Sequence, residues 1–119
     1  MSIAQIQRRV ARSTVLEARS VLGLTDRQIG RATGADRRTV QRWHAQASAP
    51  GPRHQEAMEK LREISHLLRQ LFATPEEAQE WFHSPVPPLR DRTPVSLVQE
   101  GRADEVIEAL STAASGAHL

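Results

Sequence analysis

The 119-residue sequence predicts an all-α protein in which an N-terminal helix-turn-helix bundle is followed by a smaller C-terminal helical module. Three observations predict it. Strand signals are almost missing: there is no tyrosine, aromatic content is 3%, and no alternating run of β-branched residues occurs. Apolar residues recur instead at steps of three and four. The chain is also punctuated by helix starts and stops, with a Thr or Asp cap at several starts and glycine at several ends.

The elements follow in order. Residues 2–22 read as helix, with a joint allowed near Ser13-Thr14, where the apolar stripe changes. Ile3, Ile6 and Val10 form the first stripe; Leu16, Val21, Leu22 and Leu24 belong to the next. The first stripe suits a dimer or partner contact rather than a core. Thr25 is placed to cap a short helix from Asp26 to about Thr33, with Gln28 completing a capping box. Gly34 ends it, because glycine adopts a left-handed backbone at little cost. Asp36 caps the next helix, which runs to about Ala45. Ser48 to Arg53, with two prolines around a glycine, reads as a linker. It divides the chain into residues 1–47 and 54–119.

The second segment opens with the clearest amphipathic helix, 54–72. Met58, Leu61, Ile64, Leu68 and Leu71 make its stripe, widened by Leu67 and Phe72. Thr74-Pro75-Glu76-Glu77 starts another helix with a cap, a first-turn proline and a box-closing Glu77. It extends through Trp81 and Phe82. Pro85, Pro87 and Pro88 are expected to hold the chain extended. Thr93-Pro94 starts a short helix that Gly101 stops. The last helix, about Arg102 to Ala114, shows Val106, Ile107 and Leu110, and Gly116 ends it before a tail of Ala117-His118-Leu119.

Composition narrows the function. Without cysteine there is no disulfide and no thiolate metal site. No apolar run approaches the roughly 20 residues of a membrane span, and the start lacks a secretory signal, so the chain reads as soluble and cytoplasmic. The net charge of +2 hides a split. Residues 1–53 carry ten arginines against Glu17, Asp26 and Asp36, a net +7; residues 54–119 carry six cations against eleven acids, a net −5. A basic half suits a polyanion, and an acidic half is repelled by it. No glycine-rich phosphate loop occurs, His83 beside Ser84 has no third member, and the five histidines lack zinc-ligand spacing. The sequence therefore predicts no catalytic residue, no metal and no cofactor.

Gln28 to Trp43, QIGRATGADRRTVQRW, carries the strongest local signal. Two helices crossing at a tight turn need a small residue at the crossing, Gly30, and a glycine four residues later, Gly34. Ile29, Ala35, Val40 and Trp43 have core spacing. Arg37, Arg38, Thr39, Gln41 and Arg42 then form the candidate DNA-reading surface. Guanidinium forks suit guanine edges and phosphates, and an amide suits adenine. Asp36 reads as a cap rather than a base reader. The bland alternative is a motif that only packs or dimerises.

Trp81, Pro85, Leu89, Thr93, Pro94, Gly101, Val106 and Leu110 occur in an order that resembles the C-terminal domain of the Xre/MbcA/ParS antitoxins, and the upstream helix-turn-helix resembles the Xre-like domain expected before it. The resemblance covers about residues 14–119. It implies an antitoxin paired with a RES-domain toxin that degrades NAD, binding the enzyme and hiding its active site. It also implies toxin contacts at Trp81, at Arg102, Glu105, Val106 and Ala109 of the last helix, and at Gly116-Ala117-His118-Leu119 as a plug. The doubled proline Pro87-Pro88 departs from the pattern and leaves the path of that crossing open. With the charge split, this implies operator DNA on the basic half, the toxin on the acidic half, and a homodimer or larger toxin–antitoxin assembly. A helix-turn-helix dimer reads half-sites about 34 Å apart or a multiple of that. The competing readings are a stand-alone regulator whose C-terminal helices dimerise, and a pure interaction module.

Overall fold

A computed structural model of the chain describes residues 1–116, whose regular elements are helical: α1 (Ile3–Ser20), α2 (Asp26–Thr33), α3 (Arg37–His44), α4 (Pro52–Leu71), α5 (Pro75–Phe82), a 3₁₀ turn (Pro87–Leu89), α6 (Pro94–Gln99) and α7 (Ala103–Ala114). The segment expected in up to two pieces is one unbroken helix, α1. Thr14 causes no joint because its hydroxyl donates back to the Val10 carbonyl at 3.0 Å, so the β-branched residue is absorbed into the helix. The start of α1 also carries a capping box that the sequence pattern did not bring out. Ser2 Oγ accepts from the Gln5 amide at 3.1 Å, and Gln5 Oε1 accepts from the Ser2 amide at 2.8 Å.

The second helix start is as expected. The Thr25–Gln28 box is present, and Gly34 ends α2 with φ of 77°. The linker ends two residues earlier than expected, because α4 begins at Pro52, where a proline lacking its N–H costs nothing in the first turn. At α5 the box is half made. Thr74 accepts from the Glu77 amide, with no return bond from the Glu77 side chain.

The proline crossing differs from the expected extended strand. Pro87–Leu89 winds into a single 3₁₀ turn, and Val86 pairs with Arg92 in an isolated antiparallel bridge. Between them the chain reverses through Arg90 and Asp91, both left-handed at φ of 58° and 59°. The Arg92 amide donates to the Leu89 carbonyl at 3.1 Å, closing a four-residue turn with both central residues left-handed, the geometry of type I′. The prolines set the local backbone, but the bridge decides the path.

One apolar cluster runs through both halves, from Ala11, Val15 and Ala18 of α1 to Val106 and Leu110 of α7. Trp43, Phe82, Ile29 and Leu68 lie fully buried within it. α4 is its spine. α7 lies along it, and α1 and α2 pack against it as well. Polar side chains of the second half also grip the backbone of the first. Gln79 Nε2 donates to the Ser20 carbonyl at 2.7 Å, and His83 Nε2 meets the Leu22 carbonyl at 2.7 Å, so α5 satisfies carbonyls freed where α1 ends. His54 Nδ1 does the same for the Thr33 carbonyl at 2.8 Å, with its ring edge against Trp43. A ring nitrogen facing a carbonyl oxygen carries the proton and donates it.

Candidate nucleic-acid and toxin-binding surfaces

The helix-turn-helix is built from the residues that sequence spacing selected. Ile29, Val40 and Trp43 are fully buried; Ala35 packs at the edge. Gly30 is required for a sharper reason than helix crossing. A Cβ there would stand 2.4 Å from the Ala35 carbonyl oxygen, which belongs to the turn itself. The Ala35 amide in turn donates to the Gly30 carbonyl at 2.8 Å. Glycine at this position lets the turn fold onto the last stretch of α2.

Asp36 caps α3 by accepting from the Thr39 amide at 2.7 Å. That bond to Thr39, followed by the hydroxyl of the same residue and the charge of Arg38, holds its carboxyl below the ordinary range. Thr39 is half-buried behind the cap, whereas Arg37, Arg38, Gln41 and Arg42 are exposed along one side of α3. None of those three arginines is ion-paired among the described residues. Behind them, Arg12 reaches from α1 to the His44 carbonyl at 2.7 Å, and Arg19 forms a two-bond pair with Asp26 at 2.9 and 3.1 Å. Burial, with Arg19 and Arg12 nearby, lowers the His44 pKa, so near neutral pH His44 adds no charge to this face. The arrangement is a rigid helix with free cations and one amide facing outward.

The C-terminal candidates divide. Arg102 and Glu105, at the start of α7, hold each other through two bonds, one of them 3.1 Å. The bond from Arg102 keeps the Glu105 carboxyl below its usual range. Glu105 and Ala109 face a shallow groove whose other wall is Leu89, Arg90 and Pro88 of the proline crossing. Trp81 lines none of that groove. It sits half-buried on α5, its ring 6.3 Å from Phe72.

Val106 departs from the expectation. It is fully buried, facing the core between α7 and α4, so it supports the helix from beneath and offers nothing to the surface. Its apolar spacing with Leu110, which matched the family pattern, is the spacing of a core face. Gly116 is exposed and left-handed, at φ of 98°. Ala117, His118 and Leu119 lie outside the described residues. Sequence reasoning missed the Arg90-Asp91 reversal, whose Arg90 forms part of the groove wall; with no glycine there, Asp91 was the one weak sign of a left-handed turn.

The profile of the antitoxin Xre/MbcA/ParS C-terminal toxin-binding domain matches residues 67–116, from the last turn of α4 through α7. The mycobacterial cidal antitoxin MbcA of Mycobacterium bovis and that of Mycobacterium tuberculosis are each 30% identical to this chain over 107 residues. The match spans 90% of this chain and 94% of theirs. The crystal structure of the M. tuberculosis MbcT–MbcA toxin–antitoxin complex contains a chain that superposes with a TM-score of 0.71 at 29% identity, covering 91% of this chain and 96% of that one. No helix among the described residues is long and apolar enough to cross a membrane. The fold, with the exposed cationic face of α3 joined through one core to this C-terminal domain, matches a known antitoxin over nearly its whole length, and the chain belongs to the Xre/MbcA/ParS family of antitoxins.

Proposed function

We propose that this antitoxin neutralises a RES-type, NAD-degrading toxin by covering its active site, and that it represses its own operon by binding operator DNA through α3. It works in the cytoplasm and makes no chemistry of its own. The observation that carries the reading is the pairing of two surfaces on one body. Arg37, Arg38, Gln41 and Arg42 stand free on α3, and the antitoxin domain occupies the opposite end of the sequence. The similarity to a chain solved in a toxin–antitoxin complex supports the toxin as partner.

On the toxin side, Glu105 and Ala109 line the groove of α7 with Arg102 bonded to Glu105, Trp81 on α5 adds a separate half-buried contact, and Gly116 to Leu119, which follow the last helix in sequence, serve as the plug. Residues 1–47 take the DNA and residues 54–119 take the enzyme, so the two partners do not compete.

Co-expression with the product of the adjacent gene, followed by co-purification and an NAD-depletion assay, tests the first half. Toxin and antitoxin should purify together with NAD preserved, and removal of Gly116 to Leu119 should release toxin activity while DNA binding persists. Unchanged inhibition by the shortened chain rules out the plug. For the second half, Arg37→Ala with Arg38→Ala should weaken operator binding and make the slope of log affinity against log salt shallower by about two, one for each phosphate no longer neutralised. An unchanged slope places the DNA surface elsewhere.

A further inference from the structure

The end of α3 carries an unexpected residue. The Ala47 amide donates to the Arg42 carbonyl at 2.9 Å and the Gln46 amide to the Trp43 carbonyl at 3.1 Å, the two bonds of a Schellman motif. The pivot of that motif must be left-handed, so it is usually glycine. Here it is Gln46, at φ of 58°. Nothing in the motif favours a glutamine, but the side chain lines an open recess with Met1 and with Gln5, Arg8 and Arg9 of α1. The recess thus gathers two guanidinium groups and two amides, and no carboxylate lines it. Arg12 fixes its position by donating to the His44 carbonyl at 2.7 Å, which ties α1 to the end of α3. Arg8 and Arg9 stand four and three residues before Arg12, on the same face of the helix. Arg12 already meets the carbonyl end of α3, so Arg8 and Arg9 are not needed there. Arg8 is half-buried yet makes no hydrogen bond or ion pair among the described residues. Arg9 meets the Met1 sulfur, a weak acceptor, at 3.3 Å.

We propose that Arg8 and Arg9, with Gln5 and Gln46, form a second DNA contact, a cradle for a backbone phosphate beside the bases that α3 faces. The inference rests on the reading that α3 binds operator DNA, and it carries the contact surface past the end of α3 onto α1. The chemistry selects a phosphodiester. Guanidinium groups supply charge and paired donors, the amides supply neutral donors for the remaining oxygens, and no carboxylate of the recess repels the anion. Phosphate contacts set register and carry no base information. A site continuous with α3 but beyond its outward side chains suits that role. The left-handed Gln46 fits as well, since backbone strain gathers where a side chain is held for a ligand.

Binding of the full chain to an operator duplex and to a scrambled duplex of the same composition, measured across salt concentrations, tests it. Arg8→Gln with Arg9→Gln should weaken both complexes about tenfold and make the slope of log affinity against log salt shallower by about one to two. The preference for the operator should stay as it was, because the lost contacts read no base. Arg8→Lys with Arg9→Lys should keep the slope, since the charge is kept. Gln46→Gly should raise the urea midpoint, because glycine suits the pivot, and still weaken binding about threefold with the slope unchanged. An unchanged slope for the paired Gln variant, while Arg37→Ala with Arg38→Ala still flattens it, overturns the cradle and leaves the α3 reading standing. Absence of salt-dependent binding by the unaltered chain overturns both. A loss of toxin affinity or a changed oligomeric mass in the paired Gln variant, with DNA binding intact, assigns the arginines to a protein contact and overturns the cradle too.

Discussion

The turn inside the helix-turn-helix and the reversal at the proline crossing solve the same problem with opposite chemistry. Between α2 and α3 the special backbone positions carry the residue that suits them. Gly34 takes the left-handed conformation, and Gly30 vacates the space that the Ala35 carbonyl occupies. Between Val86 and Arg92 two consecutive left-handed positions carry Arg90, which has no local reason to be there, and Asp91, a residue type that tolerates the left-handed region less well than glycine. The first turn is locally consistent. The second is imposed from outside by the Val86–Arg92 bridge and by Leu89 buried beneath it. Strain held in this way concentrates where side chains are presented to a partner, and this turn walls the groove beside Glu105 and Ala109.

The strongest way to break the comparison is to ask whether the two regions are one folding unit. Trp43 fills the core under the helix-turn-helix, and Phe82 fills it under the C-terminal helices; both are essentially buried. Truncating either to alanine should cost about 3–5 kcal/mol. Because the apolar cluster is continuous and α5 grips the end of α1, both variants should lower a single unfolding transition in urea, followed by tryptophan fluorescence and helical signal together. For Trp43→Ala, Trp81 remains the fluorescence probe. A Trp43→Ala chain that shows two separated transitions would mean that the halves fold independently.

A smaller effect sharpens the contrast within the glycines. Gly30→Ala drives a methyl into a backbone carbonyl that cannot swing away, so about 2–3 kcal/mol should be lost. Gly101 is left-handed at φ of 81°, but a Cβ there meets nothing within 4 Å. Gly101→Ala should therefore cost about 1 kcal/mol, the conformational part alone. Equal losses in denaturant titrations would show that the steric account of Gly30 is wrong.

These contrasts also explain what was legible in the sequence. Caps, first-turn prolines and terminal glycines act within a few residues, so Thr25, Asp36, Thr74 and Thr93 announced their helices and all four accept the expected backbone amide. Core spacing in Ile29, Val40 and Trp43 was equally local. What escaped was set by distant partners. The 3₁₀ turn exists because Val86 finds Arg92. Gln79 and His83 matter because α5 lands on the end of α1, 59 and 61 residues away in sequence. Val106 was assigned to a surface because periodicity identifies a face without saying what covers it, and α4 covers it. The stripe of Ile3, Ile6 and Val10 was equally visible and equally ambiguous, and there the structure leaves the face open.

The finest test converts the foreign turn into a native one. Type I′ geometry favours Asn then Gly at the two left-handed positions, so Arg90→Asn with Asp91→Gly should relieve strain. The expected gain is about 1 kcal/mol in urea unfolding, somewhat offset by the freedom glycine adds to the unfolded chain. If Arg90 and Asp91 occupy this turn because a partner needs their side chains, the same variant should hold the toxin less tightly while being more stable, with operator binding unchanged. A gain in stability without loss of toxin affinity would reduce the turn to a tolerated imperfection. A loss of stability would mean that the side chains support the turn through interactions outweighing their backbone cost, and its likeness to other strained binding loops would end there.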